Sequence, residues 1–265
     1  MSSSSANEMI PAEDAVSIAK LLGEIAGSDA DVPSRKRLLM EGLVSLTDAD
    51  GWLWSVTYSD HDKGQPMSLG VIHDGLTDEQ FSGWVEASQV ARPAPPEDGP
   101  ITVALAEGEH FTRTRDQLVS DDEWYSHPTV KKYRLDRGID DFLYSIFPLE
   151  GGQMCSAIGL YKNVGRERFT ARSRRIAHIV LSNVPWLHFA DVPKNESVSV
   201  PQLTPAQRIV LVYLLEGRRR SEIAKLLKIA DTTAKDHTRA VLRHFDVPDQ
   251  LALVCKFRAG NGADL

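Results

Sequence analysis

Between Thr232 and Arg243 the chain sets out side chains able to hydrogen-bond the edges and the backbone of a nucleic-acid duplex: Thr232, Thr233, Lys235, Asp236, Arg239 and Arg243. Lysine and arginine donate to guanine edges and to phosphates, and an aspartate accepts from the cytosine amino group. Lys235 and Arg239 are four residues apart, so on a helix they share one face. Upstream, Arg218, Arg219 and Arg220 form a cationic run. Alone, such a run is a solvated turn; placed between two helices it lies where a duplex backbone would pass, and phosphate contact is the favoured role. Residues 203–265 carry a net charge of +4 and the rest −11, together the −7 of the whole. An acidic body repels phosphate, so the basic end has its own field.

A helix-turn-helix would position these side chains. Thr204 and Gln207 make a capping box, in which each side chain satisfies a first-turn backbone donor. Ile209, Val210, Val212, Tyr213 and Leu214 follow at near-helical spacing, and Gly217 stops the helix. A second helix is predicted over about Arg219 to Leu227, burying Ile223, Ala224 and Leu227. A turn over Lys228 to Asp231 leads to a third, Asp231 to Phe245, with Ala234, Val241, Leu242 and Phe245 on its apolar side. Short helix, tight turn and basic amphipathic helix is the arrangement that lays a recognition helix in a major groove.

The segment 203–260 resembles the LuxR/FixJ-type DNA-binding domain at Leu203-Thr204, Gly217, Glu222-Ile223-Ala224 and Thr233-Ala234-Lys235-Asp236-His237. The resemblance implies four helices, the last over about Pro248 to Ala259 and dimerising through Leu251, Val254 and Phe257. It implies base contacts from Lys235, Asp236 and Arg239, with Thr233 and Arg243 near the backbone. Three positions depart from the family. Ala230 stands where a serine usually caps the recognition helix, a loss of about 1 kcal/mol, and leaves Asp231 to cap one residue later. Asp236 replaces an apolar or neutral residue, and either reads cytosine or lowers affinity. Gln207 stands for the usual glutamate.

The chain of 265 residues suits two domains. The expected division is a disordered start over 1–12, a first domain over 13–190, a polar linker over 191–202 with two prolines, and the DNA-binding domain over 203–265. Met1 to Glu8 is serine-rich without an apolar stretch, unlike a signal peptide. No run of 18 apolar residues occurs, so no membrane partner and a cytoplasmic location are expected. Cys155 and Cys255 read as buried free thiols of a reducing compartment. His127, His178, His188, His237 and His244 are scattered, and no Cys or His set has zinc spacing. No nucleophile-base spacing and no glycine-rich phosphate loop occurs either. The expectation is no metal, no cofactor and no enzyme activity.

Before the linker the patterning is α+β. Helices are predicted over Glu13 to Ala26, after a cap at Ser34, from Thr77 with Gln80 to about Val90, over Asp121 to Arg137, and over Phe169 to Phe189 with a kink at Pro185. Gly51 to Tyr58 alternates, with Trp52, Trp54, Val56 and Tyr58 on one face, and returns as Met67 to His73 after a turn at His61 to Pro66. Arg92 to Pro100 reads as a proline-rich loop. Asp141 to Leu149 and Gln153 to Tyr161 make a second hairpin around Gly151-Gly152. Trp52, Trp54, Trp124, Tyr133 and Tyr144 are the candidate lining of a ligand pocket. Aromatic stripes are core more often than ligand boxes; the functional version has Trp124 and Tyr133 covering a cavity against the sheet.

The strand Gly159-Leu160-Tyr161-Lys162-Asn163, followed by Phe169, Thr170, Arg172, Arg174, Arg175 and Ile176, is similar to the closing strand and helix of GAF domains. The expected fold is therefore α+β: a GAF/PAS-like antiparallel sheet flanked by helices, then an all-α four-helix helix-turn-helix domain. An autoinducer-binding domain is the competing idea for the first part. A phosphorelay receiver is disfavoured, because the acidic pairs Asp121-Asp122 and Asp140-Asp141 lie late in the chain. The resemblances imply a transcriptional regulator whose first domain, 13–190, either senses a signal or only mediates dimerisation, and whose partners are double-stranded promoter DNA, a second copy of the chain, RNA polymerase and a small-molecule ligand. Alternatives are a sigma-like polymerase subunit, which would need a further helical domain, and a ligand-binding protein or enzyme with an incidental tail.

Overall fold

The computed structural model of the protein describes residues 10–58, 67–90, 94–149, 154–190 and 203–259. The expected start before residue 10, the turn at 61–66, the Gly151-Gly152 turn and the linker 191–202 lie outside the described residues.

The chain opens with α1 (Ala12–Ala26) and α2 (Val32–Thr47), then the hairpin β1 (Gly51–Tyr58) and β2 (Met67–Asp74), and α3 (Asp78–Val90). Then come α4 (Asp98–Ala106), β3 (Phe111–Thr114), α5 (Arg115–Leu118), α6 (Asp121–Ser126) and α7 (Pro128–Tyr133). After a 3-10 turn at Leu135–Arg137, β4 (Ile139–Pro148) and β5 (Met154–Asn163) precede α8 (Ala171–Ser182) and α9 (Pro185–Phe189). The last helices are α10 (Pro205–Leu215), α11 (Arg220–Leu226), α12 (Asp231–His244) and α13 (Gln250–Ala259).

The five strands form one antiparallel sheet in the order β2-β1-β5-β4-β3. Period-two alternation gives the sheet two apolar faces, and helices cover both. On one face Trp52, Trp54, Leu143, Ile158 and Leu160 pack with α1, α2 and α8. On the other, Leu53, Phe142, Tyr144 and Tyr161 pack with Phe81, Val85, Trp124 and Val130 of α3, α6 and α7. The expected α+β layer is therefore present.

Several boundaries differ from expectation, and prolines account for most of them. Asp31, not Ser34, caps α2: its Oδ1 accepts the Ser34 backbone N–H at 2.9 Å, and Pro33 fits the first turn. The predicted helix 121–137 is broken at Pro128, which holds His127 in extended backbone (φ −74°, ψ 125°). Pro185 likewise ends α8 and starts α9, a break rather than a kink. The proline-rich loop gives way to α4 at Asp98, and β3 was not expected.

The last four helices pack on one another, and α10 and α11 also dock on α3, with α10 reaching β2. Their local cues hold. Thr204 and Gln207 exchange both bonds of the capping box, at 2.9 and 3.3 Å. Gly217 adopts φ +86°, which only glycine takes without strain, and lets the Arg218 N–H reach back to the Tyr213 carbonyl at 3.0 Å. No described helix is long and apolar enough to cross a membrane.

Candidate functional site

The exposed face of α12 is built by what it buries. Ala234 and Val241 are fully buried, and this fixes the rotation of the helix. Thr232, Thr233, Lys235, Asp236, Arg239 and Arg243 are thereby left on the solvent side. Ahead of it, α11 gives way to Lys228, two residues past its last helical residue Leu226, which takes the left-handed conformation (φ 52°), and the Ile229 N–H returns to the Ala224 carbonyl at 3.0 Å. Ala230 occupies the cap of α12 without a side-chain bond, and Asp231 is the first helical residue instead of the cap the sequence suggested.

Arg220, Lys235, Thr238, Arg239, Leu242, Arg243, Val247 and Pro248 line one open groove of about 380 Å³. Its four cations have no carboxylate partner among the described residues. The arginine run is thus divided. Arg220 joins the groove and Arg219 is exposed, whereas Arg218 turns inward. Its Nη2 donates to Asp78 at 2.8 Å and its Nε to Glu216 at 3.1 Å. On α13, Leu251 is 73% exposed and Val254 half-buried, while the side chain of Phe257 lies outside the described residues.

Between α10 and α3 the two parts of the chain meet through a continuous apolar and polar seam. The Phe81 ring stacks on His73 with centroids 4.0 Å apart and meets Tyr213 edge-on at 5.9 Å. Tyr213 Oη and Ser82 Oγ are 2.7 Å apart, and His73 Nε2 bonds Glu216. Burial pushes the Tyr213 phenol up to about 12, so the hydroxyl keeps its proton.

The five proposed pocket aromatics do not line one cavity. Trp52 and Trp54 lie on the sheet face under α1, α2 and α8, because β1 pairs Trp52 with Leu160 and Trp54 with Ile158. There the Trp54 indole N–H donates to Ser156 Oγ at 2.7 Å. Ser156 in turn faces His188 Nδ1 at 2.8 Å, and His188 Nε2 donates to the Leu181 carbonyl at 2.9 Å. Burial holds His188 down at about 3; burial and the neighbouring His178 hold His110 down at about 4. Trp124 and Tyr144 lie on the opposite face, on either side of Phe142, while Tyr133 packs with Ala87 of α3.

That opposite face holds a polar group which sequence reasoning missed. Arg134 and Glu97 are 5% and 2% exposed, with Arg134 Nη2 3.8 Å from Glu97 Oε1 and 3.4 Å from Tyr144 Oη. Burial raises the Glu97 carboxyl above its usual range, against the pull of Arg134. Burial raises Tyr144 too. Glu97 sits in the proline-rich stretch and Arg134 among exposed lysines, so neither position signals burial in the sequence. Elsewhere the cysteines are free, but only Cys155 is buried, its thiol pushed up to about 12; Cys255 is exposed. Among the described residues no His, Cys, Asp and Glu group could hold a metal ion.

No protein-family model matches this chain, and no curated protein does. Among solved structures it is similar to SdiA of Escherichia coli, at 14% identity and TM-score 0.45 over 92% of this chain and 96% of that one. It is also similar to the VqsR ligand-binding domain of Pseudomonas aeruginosa, at 17% identity and TM-score 0.41 over 67% and 94%. A third is the GAF domain of a phosphoenolpyruvate-protein phosphotransferase from Coxiella burnetii, at 16% identity and TM-score 0.37 over 66% and 90%.

Proposed function

We propose that this chain is a sequence-specific DNA-binding transcriptional regulator and not an enzyme. Residues 203–265 are its DNA-binding domain, a helix-turn-helix with α12 in the major groove, and residues 13–190 are a small-molecule sensing domain. The observation that carries this reading is the groove of Arg220, Lys235, Arg239 and Arg243, whose charges no described carboxylate neutralises. Cations left free on one helix face suit a polyanion that offers both phosphates and base edges. Asp236, exposed beside Lys235, would accept from a cytosine amino group in this reading. The α10 seam with α3 supports control of the DNA-binding helices by the sensing domain. The proposed partners are double-stranded promoter DNA, RNA polymerase, a small-molecule ligand and a second copy of the chain through Leu251, Val254 and Phe257. The proposed setting is the cytoplasm.

Selection of bound duplexes from a random pool tests this directly, and a recovered palindrome would give both the operator and the pairing. On the selected duplex, Lys235→Ala and Arg239→Ala are each expected to weaken binding by about 1–3 kcal/mol in anisotropy titrations. No enrichment from the pool, or full affinity in both variants, would overturn the assignment.

A further inference from the structure

We infer that the Arg134–Glu97 pair, beneath the Phe142 and Tyr144 rings, is the ligand site of the sensing domain, and that it takes a small carboxylic acid with an apolar or aromatic body. This rests on the sensory reading of residues 13–190 and adds to it the ligand class. Arg134 is a buried cation without a short bond: its nearest acceptors stand at 3.4 and 3.8 Å, and Nη1 has no partner. Guanidinium–carboxylate bonds normally close to about 2.7–2.9 Å. Arg115, equally buried in the same part of the chain, also has an unbonded Nη1, but it is held by two close carboxylates, Asp121 at 2.6 Å and Asp141 at 3.2 Å, which Arg134 lacks. At the Arg134 site Glu97 Oε2 also lacks a partner, and so does Trp124 Nε1 beside Phe142. Buried polar atoms are ordinarily bonded, so several orphans in one place mark a missing partner.

The open bonds define that partner. A planar two-oxygen acceptor matches the guanidinium fork. The Phe142 and Tyr144 rings, stacked 4.1 Å apart, and Trp124 offer the apolar surface for the rest of the molecule. The site also adjoins the seam to the DNA-binding helices. Tyr133, next to Arg134, backs directly on α3 at Gly83, where an added Cβ would come within 2.5 Å of the Tyr133 carbonyl oxygen. The neighbouring α3 residues Phe81 and Ser82 touch Tyr213 of α10.

The test uses the full chain and three acids, benzoate, phenylacetate and hexanoate, each beside its primary amide. Binding is read by tryptophan fluorescence and thermal shift. At least one acid is expected to saturate and to raise the melting temperature, with its amide at least tenfold weaker. Arg134→Lys is expected to lower the affinity at least tenfold. Glu97→Gln, which removes a competing negative charge and keeps the shape, is expected to bind the acid at least as tightly as the parent chain. Weaker acid binding in Glu97→Gln would overturn the proposal, and serves if Arg134→Lys fails to fold. Amides that bind as tightly as the acids would overturn the acid class and leave the sensory reading standing. No binding of any probe would overturn the proposal and leave the sensory reading standing.

Discussion

The hydroxyls of Tyr213 and Ser82 lie 2.7 Å apart across the seam between α10 and α3, both buried. This bond joins residues 131 positions apart in sequence, and it is the buried member of the polar contacts across the seam, beside His73 with Glu216 and Arg218 with Asp78. Removing either hydroxyl leaves the other buried and unbonded, which costs about 1–3 kcal/mol. Tyr213→Phe and Ser82→Ala are each expected to destabilise the chain by that order, and the double variant by clearly less than the sum. Additive losses in denaturant unfolding would show that the two hydroxyls do not act as a pair.

Salt dependence separates the three arginines. Each phosphate contact adds about 1 to the slope of log affinity against log salt. Arg220→Ala is expected to lower that slope by about 1 and to weaken random and selected DNA alike. Arg218→Ala is expected to leave the slope unchanged, because Asp78 and Glu216 already hold its guanidinium. Equal slope changes in the two variants would mean that Arg218 leaves its carboxylates on DNA.

Acidification is expected to weaken the fold through His188 and His110. Folded His188 titrates near about 3 and His110 near about 4, both lowered first by burial. The unfolded imidazole titrates near about 6.5, so above that value both states are neutral and the stability is complete. Below it the unfolded chain takes up protons that the folded chain refuses, and stability falls as the pH drops towards those folded values. The melting temperature is therefore expected to fall between about pH 7 and about pH 5. His188→Gln should melt lower at neutral pH yet show a shallower acid slope. A slope identical to the parent chain's would exclude His188 as a cause.

Pairing is expected to depend on α13. Leu251 is 73% exposed, so Leu251→Asp should leave the unfolding free energy of the chain within about 0.5 kcal/mol of the parent. If a second copy covers Leu251, the same change should lower operator affinity and shift the complex towards one copy per duplex in analytical ultracentrifugation. Unchanged stoichiometry and affinity would place the dimer contact elsewhere.

What the sequence showed depends on the range of the cue. The boundaries of α10 to α12 follow local signals, a Thr204 cap, the Gly217 stop and the buried spacing of Ala234 and Val241, and these can be read residue by residue. The hairpins are legible for the same reason, since period two marks which residues share a strand face. It does not say which helices cover that face. Sequence therefore groups Trp52 and Trp54 with Trp124 and Tyr144, although the sheet separates them. Prolines at 128 and 185 were visible, but whether a proline kinks or ends a helix is settled by the packing around it. Glu97 and Arg134 are 37 residues apart and each reads as surface charge; only the chain's path through α4 and α7 brings them together.

The seam at Phe81 and Tyr213 also bears on how the molecule can be cut for study. A fragment ending before α10 would present Phe81, His73 and Ser82 to water, and a fragment containing only the last four helices would present Tyr213. Each half would carry a sticky apolar scar that the intact chain conceals. Poor solubility of either half alone would then reflect the loss of its neighbour and not a failure to fold. Replacing the newly bared aromatic with a polar residue would be the remedy to try.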